Sequence, residues 1–513
     1  MISASSTDLL IVAAVLAATM VSSARWLRVS QREHYLGGSV TRFALRWWNV
    51  DWLDRGLLLI ALAGAVGAFW FSPAALATTA VVAAAPIGLG LKGRTSKLAW
   101  TRRLKTVAAV AGLATVVDLL VISVLLPEGK LPAVAAAIAV GAPLIFDAVL
   151  YVLAPVERRV ARRFVVAAQA RLEQIDPVRV AITGSYGKTT IKGYVRHLIG
   201  NSRSTLATPA SFNNTAGLSR AINESLSLET EVFIAEMGTY GPGEIAKMCS
   251  WIRPSISVLA SIGPVHLERF GDLDTIVSSK AEIFGTSRTA ILNIDAHGLA
   301  HEAVRLAASG IRVIRCSALD PEADVYCCND AGRLTVTNLG EVVIAGMELD
   351  AAPTNVACSV AVASALGIDN ATIAERLPTV PTADHRRQVV VSPSGITVID
   401  DTYNSNPAGA AAAVETLERL NANRKVVVTP GMVELGARQR PENERFAEKA
   451  ARIADDLIIV SRINRDALEF GARDQRATVH HVATREDAVE WVRAHLQAGD
   501  AVLYENDLPD HFP

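Results

Sequence analysis

Hydrophobic and polar positions divide this 513-residue chain into two unlike parts. Up to about residue 153, apolar residues come in long runs at 8–24, 56–72, 74–91, 106–126 and 131–153. Each is near the length at which a helix crosses a bilayer, those at 56–72, 74–91 and 106–126 at the short end; buried core helices are the alternative. From about residue 172 the pattern changes to short β-branched runs separated by helical periodicity. Val178–Ile182, Val232–Ala235, Ile256–Leu259 and Ala290–Asn293 read as buried strands. A helical stretch, Val356–Leu366, leads to Thr382-Ala-Asp-His-Arg-Arg387, after which Val389–Val391, Thr397–Ile399 and Lys425–Val428 begin a second α/β unit. The pattern predicts an α-helical membrane region of about five helices at 1–155, then two α/β domains at 172–384 and 385–513. The first has a mostly parallel sheet, whose ligands bind beyond the carboxyl ends of the strands.

Charge sharpens the first part. Basic residues gather at Arg25 to Arg55, Lys92 to Lys105 and Arg158 to Arg163, whereas Ser72-Pro73 and Pro127–Lys130 are uncharged or balanced. The basic clusters occupy alternate loops, so an odd number of spans with the first end outside puts all of them, and everything after residue 155, in the cytoplasm. No small-residue cleavage pattern precedes Arg25, Arg28 and Arg32, so the first run reads as an anchor. The expectation is a multi-pass protein of the plasma membrane. Trp26, Tyr35, Phe43, Trp47, Trp48 and Trp52 mix with arginines in the first basic loop, a composition suited to the headgroup level. Asp118 and Asp147 lie inside apolar runs, where a carboxylate is paired, functional, or held protonated or at a helix end.

Net charge is −1 and half of the residues are hydrophobic, which excludes the clustered basic excess of a nucleic-acid-binding surface. The five cysteines lack paired zinc spacing and read as reduced thiols, with Cys327 and Cys328 as packing residues.

Val178 to Thr190 carries the clearest chemistry: a β-branched run, a tight turn with Gly184 and Gly187, then Lys188, Thr189 and Thr190 opening a helix. Such a turn cradles phosphate, because glycines allow close backbone approach, the helix start offers unpaired N–H groups, and Lys188 adds a charge. The usual nucleotide-loop spacing calls for glycine at 182, where the chain has Ile182. An ordinary strand-to-helix turn is the alternative.

Further stretches decide between them. Thr183-Gly-Ser-Tyr-Gly-Lys-Thr-Thr190, Phe212-Asn-Asn-Thr-Ala-Gly217, Ala235-Glu-Met-Gly238 with Gly243-Glu-Ile245, Ile262-Gly-Pro-Val-His-Leu-Glu-Arg-Phe270 and Asp400-Asp-Thr-Tyr-Asn-Ser-Asn-Pro407 occur in this order. Together they resemble the Mur ligase family of ATP-dependent amide-bond ligases, and most closely its D-alanyl-D-alanine-adding branch. The family's phosphate loop is short and lacks the first glycine. The resemblance implies a P-loop-containing central domain and a smaller Rossmann-like last domain. It implies a reaction in which ATP phosphorylates a carboxylate and an amino acid or peptide amine displaces the phosphate, in cell-wall precursor synthesis.

By the same resemblance Gly184, Ser185, Tyr186, Gly187, Lys188, Thr189, Thr190, Arg386 and Asp401 would bind ATP, with Lys188, His266 and Lys280 catalytic. Thr189, Glu236, His266 and a carbamylated Lys280 would hold two Mg²⁺ ions. Asn213, Asn214, Tyr403, Asn404 and Asn406 would contact substrate, although Asn404-Ser-Asn-Pro407 is also good turn chemistry.

Three features depart from the family. Apolar runs stand where the family has a soluble nucleotide-sugar-binding domain, so the acid is expected to be a small molecule or lipid-linked, and a membrane-protein partner enters the picture. Thr354-Asn-Val-Ala-Cys358 has a thiol where a second asparagine is expected near adenine. At the end, Glu505, Asp507 and Asp510 read as an ordinary polar tail, with attraction of an ammonium group as the alternative. Two rival functions follow: a ligase building a poly-amino-acid such as polyglutamate, and an inactive nucleotide-binding membrane scaffold, which Cys358 favours.

Overall fold

A computed structural model describes residues 5–90, 98–125, 129–209, 212–265, 267–330, 332–349, 351–381, 388–402 and 405–508. Seven helices come first: α1 (Ser6–Arg32), α2 (Ser39–Trp48), α3 (Trp52–Gly67), α4 (Ala75–Ala84), α5 (Arg102–Leu125), α6 (Leu131–Val140) and α7 (Ala142–Ile175). Among the described residues α1 and α5 are long and apolar enough to cross a bilayer, and α6 with α7, bent by 67°, would make a third such span. The runs at 56–72 and 74–91 fold into shorter helices of 16 and 10 residues, about 24 and 15 Å against a hydrocarbon core of about 30 Å. They form a hairpin, α3 against α4, so neither has the length expected of it as one of five spans.

Buried polar groups lock these helices together. Arg25, at 6% exposure, donates to the carbonyls of Val82, Ala83, Ala85 and Leu89 at 3.2, 2.6, 3.4 and 3.0 Å, supplying partners that the C-terminal turn of α4 lacks. Asp147 accepts from the N–H groups of Val40 and Thr41 at 3.2 and 2.8 Å. It therefore caps the start of α2 from a distance. Asp118 is half-buried on α5. The aromatic rings of the first basic loop mostly turn inward: Trp26, Phe43 and Trp47 are core, Tyr35 and Trp48 pack against it, and Trp52 alone of the six is fully exposed.

The central domain has a nine-stranded sheet in the order β2-β3-β1-β4-β5-β6-β7-β8-β9. Its strands are β1 (Val178–Thr183), β2 (Thr205–Ala207), β3 (Val232–Glu236), β4 (Ile256–Leu259), β5 (Thr289–Asn293), β6 (Arg312–Ser317), β7 (Val325–Asp330), β8 (Arg333–Asn338) and β9 (Glu341–Glu348). Neighbours from β2 through β7 are parallel, and β7, β8 and β9 close the edge as an antiparallel meander. The crossovers and flanking helices are α8 (Lys188–Ile199), α9 (Thr215–Ser225), α10 (Glu244–Ile252), α11 (Leu267–Phe270), α12 (Leu273–Ala281), α13 (Leu299–Ala308), α14 (Pro353–Ala365) and α15 (Asn370–Arg376). β1 lies inside the sheet and is buried on both faces from Val180 on, which is why Val180-Ala-Ile182 reads as an unbroken apolar run.

The last domain pairs β10 (Gln388–Val391), β11 (Thr397–Asp401), β12 (Lys425–Thr429), β13 (Asp456–Val460), β14 (Thr478–Val482) and β15 (Ala501–Glu505) in the order β10-β11-β15-β12-β13-β14. β10 is antiparallel and the rest are parallel. Four helices flank them: α16 (Pro407–Arg419), α17 (Gln439–Ile453), α18 (Arg465–Ala472) and α19 (Arg485–His495). The expected polar tail is corrected here. Residues 501–505 form an interior strand, and Glu505 is fully buried at its end.

Candidate functional site

Residues 184–187 leave the carboxyl end of β1 and wrap the start of α8. A Cβ on Gly184 would lie 3.0 Å from Ser261 N and from Tyr186 O, so the cradle admits no side chain there. Gly187 has φ +80°, and the Asn355 side chain of α14 occupies the place its Cβ would take. Ser185 Oγ accepts from Gly263 N at 3.0 Å, and Tyr186 N donates to Ser261 Oγ at 2.7 Å. Both tie the loop to the segment after β4. Lys188 Nζ donates to Gly184 O at 2.6 Å, and Thr189 and Thr190 complete the first helical turn.

Glu236 ends β3 beside Ile182 of β1, so its carboxylate meets the first turns of α8. Thr189 Oγ1 donates to its Oε2 at 3.0 Å, Lys192 Nζ at 2.8 Å, and Asn213 Nδ2 reaches Oε1 at 3.4 Å. Burial by itself would raise the Glu236 carboxyl, but Lys192, Lys188 and Thr189 outweigh it and hold it below the usual carboxylate range. Lys280 lies on the other side of the loop, 5% exposed, with Nζ 3.3 Å from Gly184 O. Burial, and then the neighbouring Lys188, push its ammonium well below the usual lysine range.

Other expected residues have structural duties. Asn214 caps α9, accepting from Gly217 N at 3.0 Å, and Asn406 caps α16, accepting from Gly409 N at 2.9 Å. His266, Arg386, Tyr403, Asn404 and Asp510 lie outside the described residues. Among the described residues no three His, Cys, Asp or Glu side chains converge as a metal site. Cys358 is buried in the core as a free thiol, next to the equally buried Cys316. Asn355, one turn earlier, is the residue at Gly187.

At the strand ends of the last domain Asp401 and Glu505 are register partners. Glu505 accepts from Thr429 Oγ1 at 2.6 Å and closely from Ser405 Oγ. Burial, set against those two hydrogen bonds, raises it to about 7. Tyr186 belongs to the glycine loop at the end of β1. Its hydroxyl is buried without a hydrogen-bond partner among the described residues, and burial, then the charge of Glu442 on α17, push it above the usual tyrosine range.

One residue escaped the sequence reading and another was given the wrong setting. Lys192 stands four residues after Lys188, hence on the same face of α8, a spacing that would have shown it. Glu505 carried no local signal, because its surroundings come from β11 and β12.

Residues 182–350 match the family profile of the Mur ligase middle domain, and residues 385–504 that of the Mur ligase, glutamate ligase domain. The UDP-N-acetylmuramoyl-tripeptide--D-alanyl-D-alanine ligase of Mycobacterium tuberculosis is 30% identical over 353 residues, covering 63% of this chain and 69% of the relative. The chain belongs to the Mur ligase family. It thereby joins the ATP-dependent acid–amino-acid ligases. Two solved structures share the fold of this Mur ligase: MurF from Acinetobacter baumannii, with TM-score 0.60 and 23% identity over 68% of this chain and 77% of that one, and the MurF ligase from Thermotoga maritima in complex with ADP, with 0.58 and 24% over 68% and 80%. Both family profiles lie beyond the seven N-terminal helices.

Proposed function

We propose that this Mur ligase is a membrane-anchored, ATP- and Mg²⁺-dependent amide ligase of cell-wall precursor synthesis. The observation that carries the reading is the Glu236 carboxylate, held by Thr189 and Lys192 beside a loop whose Gly184 and Gly187 leave no room for a side chain. Such a loop fits a nucleotide phosphate, and a hydroxyl and a carboxylate meeting at one edge fit Mg²⁺, a hard cation that takes oxygen ligands. Lys188 binds the phosphates, and Thr189 and Glu236 hold a first ion. His266 and Lys280 serve a second, Lys280 as a carbamate, since a buried lysine held neutral is the form that adds carbon dioxide. When bound, magnesium neutralises the oxygens of the phosphoryl group in transfer.

A carboxylate oxygen of the acid takes the γ-phosphoryl group of ATP, releasing ADP. The amine nitrogen then attacks the acyl carbon, forming the amide, and inorganic phosphate leaves with the C–O bond electrons. The acyl phosphate is sensitive to water, so closure over it matters. Arg386 and Asp401 of the last domain bind the nucleotide, and the contact between the two domains, Glu268 N to Glu434 O at 3.4 Å, supports that arrangement. The membrane part of the reading rests on α1 and α5, the α6–α7 pair, and outward apolar side chains such as Val124 and Leu125, 77% and 74% exposed. The alternation of basic loops supports a cytoplasmic side for the catalytic domains.

The test is ADP release by the full chain in detergent, with the acyl phosphate trapped as a hydroxamate by hydroxylamine. Motif-dependent activity lost in Lys188→Ala and Glu236→Ala is expected; equal backgrounds with intact folding would sink the reading in favour of a scaffold. A response to glutamate but never to D-alanyl-D-alanine would select the polyglutamate-type alternative. A reporter fused after residue 155 should be active only in the cytoplasm.

A further inference from the structure

The N-terminal helices touch the central domain at the two loops that carry the expected metal residues. Tyr240, four residues after Glu236, packs against the His34 ring with centroids 5.2 Å apart. Glu268 and Arg269, just after His266, pair with Arg46 and Glu33, the latter at 3.0 Å. The last domain meets the same rim, where Arg462 pairs with Asp51 and with Asp54 at 3.3 Å. These helices thus wall a cleft whose other sides are Tyr240, Glu268 and Arg269 of the central domain and Arg462 of the last.

Two cavities lie along that wall and share Arg46 and Glu268. One, about 480 Å³, is bounded by α2 and by Tyr240, Glu244 and Glu434; the other, about 610 Å³, lies between Asp51 and the start of α18. Their sizes suit a small-molecule headgroup. Most carboxylates around them are engaged: Glu33 by Arg269, Glu268 by Arg46, and Glu244 by Tyr240 N and Thr239 Oγ1. Arg42, exposed in the smaller cavity, and Arg465 in the larger have no carboxylate partner among the described residues. Leu45 and Trp52, 57% and 81% exposed, flank the lining residues Arg46, Val50 and Asp51 on the outside. Apolar surface and unmatched arginines thus adjoin at the mouth of one cleft.

We propose that this cleft takes its acid from the membrane, as a lipid-carried carboxylate whose phosphate group lies against Arg42, Arg46 and Arg465. Guanidinium groups suit phosphate oxygens through paired N–H donors, and the lipid chain continues along the Leu45–Trp52 side. The inference names the acid of the proposed ligase reaction and rests on that reading.

The experiment uses the full chain in detergent and four probes: farnesyl diphosphate, farnesol, uridine diphosphate and inorganic pyrophosphate. Dissociation constants come from ligand-dependent thermal unfolding, with ATP as the control ligand. Farnesyl diphosphate should bind at least about tenfold more tightly than the other three. Arg42→Glu and Arg465→Glu should each weaken it about tenfold while ATP affinity stays unchanged, and Arg42→Gln gives the same direction if a charge reversal misfolds. Equal binding of farnesol would mean apolar adsorption alone and overturn the proposal. Preference for uridine diphosphate would point to a soluble nucleotide-linked acid and also overturn it, as would no binding of any probe by protein that binds ATP. Failure of the ligase reading shows separately, as ADP release indifferent to Lys188→Ala.

Discussion

Lys192 Nζ lies 2.8 Å from Glu236 Oε2, and the two side chains are 7% and 4% exposed. Glu236 titrates below its ordinary value of 4.5, so its contribution to stability is present above that pH and is lost as pH falls through the lowered value. Lys192→Met leaves a buried carboxylate without its cation, at a cost of about 3 kcal/mol near neutrality. The deficit should shrink in acid as Glu236 protonates. Thermal unfolding of both proteins from pH 4 to 8 checks this; a constant deficit would count against a charge-based role for Lys192.

Gly187 meets two demands at once, a φ of +80° and the nearness of Asn355. Gly187→Ala should cost about 1–2 kcal/mol from backbone conformation and weaken ATP binding by displacing the loop. Adding Asn355→Ala removes the crowding but not the conformational term. Nucleotide titrations of the single and double variants should therefore show partial recovery, whereas no recovery would place the whole effect in the backbone.

Glu505 gives the opposite pH signature to Glu236. A carboxyl raised to about 7 in the folded chain, from 4.5, favours folding while protonated, so its contribution falls as pH rises between those values and levels off above them. Glu505→Gln keeps an acceptor for Thr429 and Ser405 and removes the titration. Relative to the parent, the variant should gain stability as pH rises from 5 to 8, by at most about 3 kcal/mol. Denaturant titrations at the two pH values read the difference directly.

Arg462 joins the last domain to the N-terminal helices. It donates to Ile87 O at 2.7 Å and pairs with Asp51 and with Asp54, which is wholly buried. Arg462→Ala strands that carboxylate, and a loss of about 3 kcal/mol is expected. Asp54→Asn in the same chain should return much of it. Limited proteolysis should show faster cleavage between the domains in the single variant than in the double.

Much of this architecture was legible because its signals are local. β1, β3, β4 and β5 are buried on both faces, so their apolar runs mark them without reference to neighbours. The phosphate loop likewise declares itself by two glycines and a lysine. The β7–β9 meander was missed because its alternating, half-exposed residues resemble loop composition. The acidic ending of β15 imitates a polar tail until β11 and β12 are seen on either side. Cys358 misled for a related reason. Its place in the motif suggested the nucleotide, but helical geometry turns it toward Cys316 and leaves Asn355 at the loop.

Arg25 carries a consequence for how the chain is made. Its guanidinium finds its acceptors 57 to 64 residues further along, at Val82 to Leu89. When α1 first emerges during synthesis, none of those carbonyls exists, and an arginine without partners inside an apolar bundle is costly. The first helix therefore cannot reach its final seat alone. Its hydrogen bonds are complete only once the chain has been made as far as Leu89, which makes the seating of α1 a non-local event.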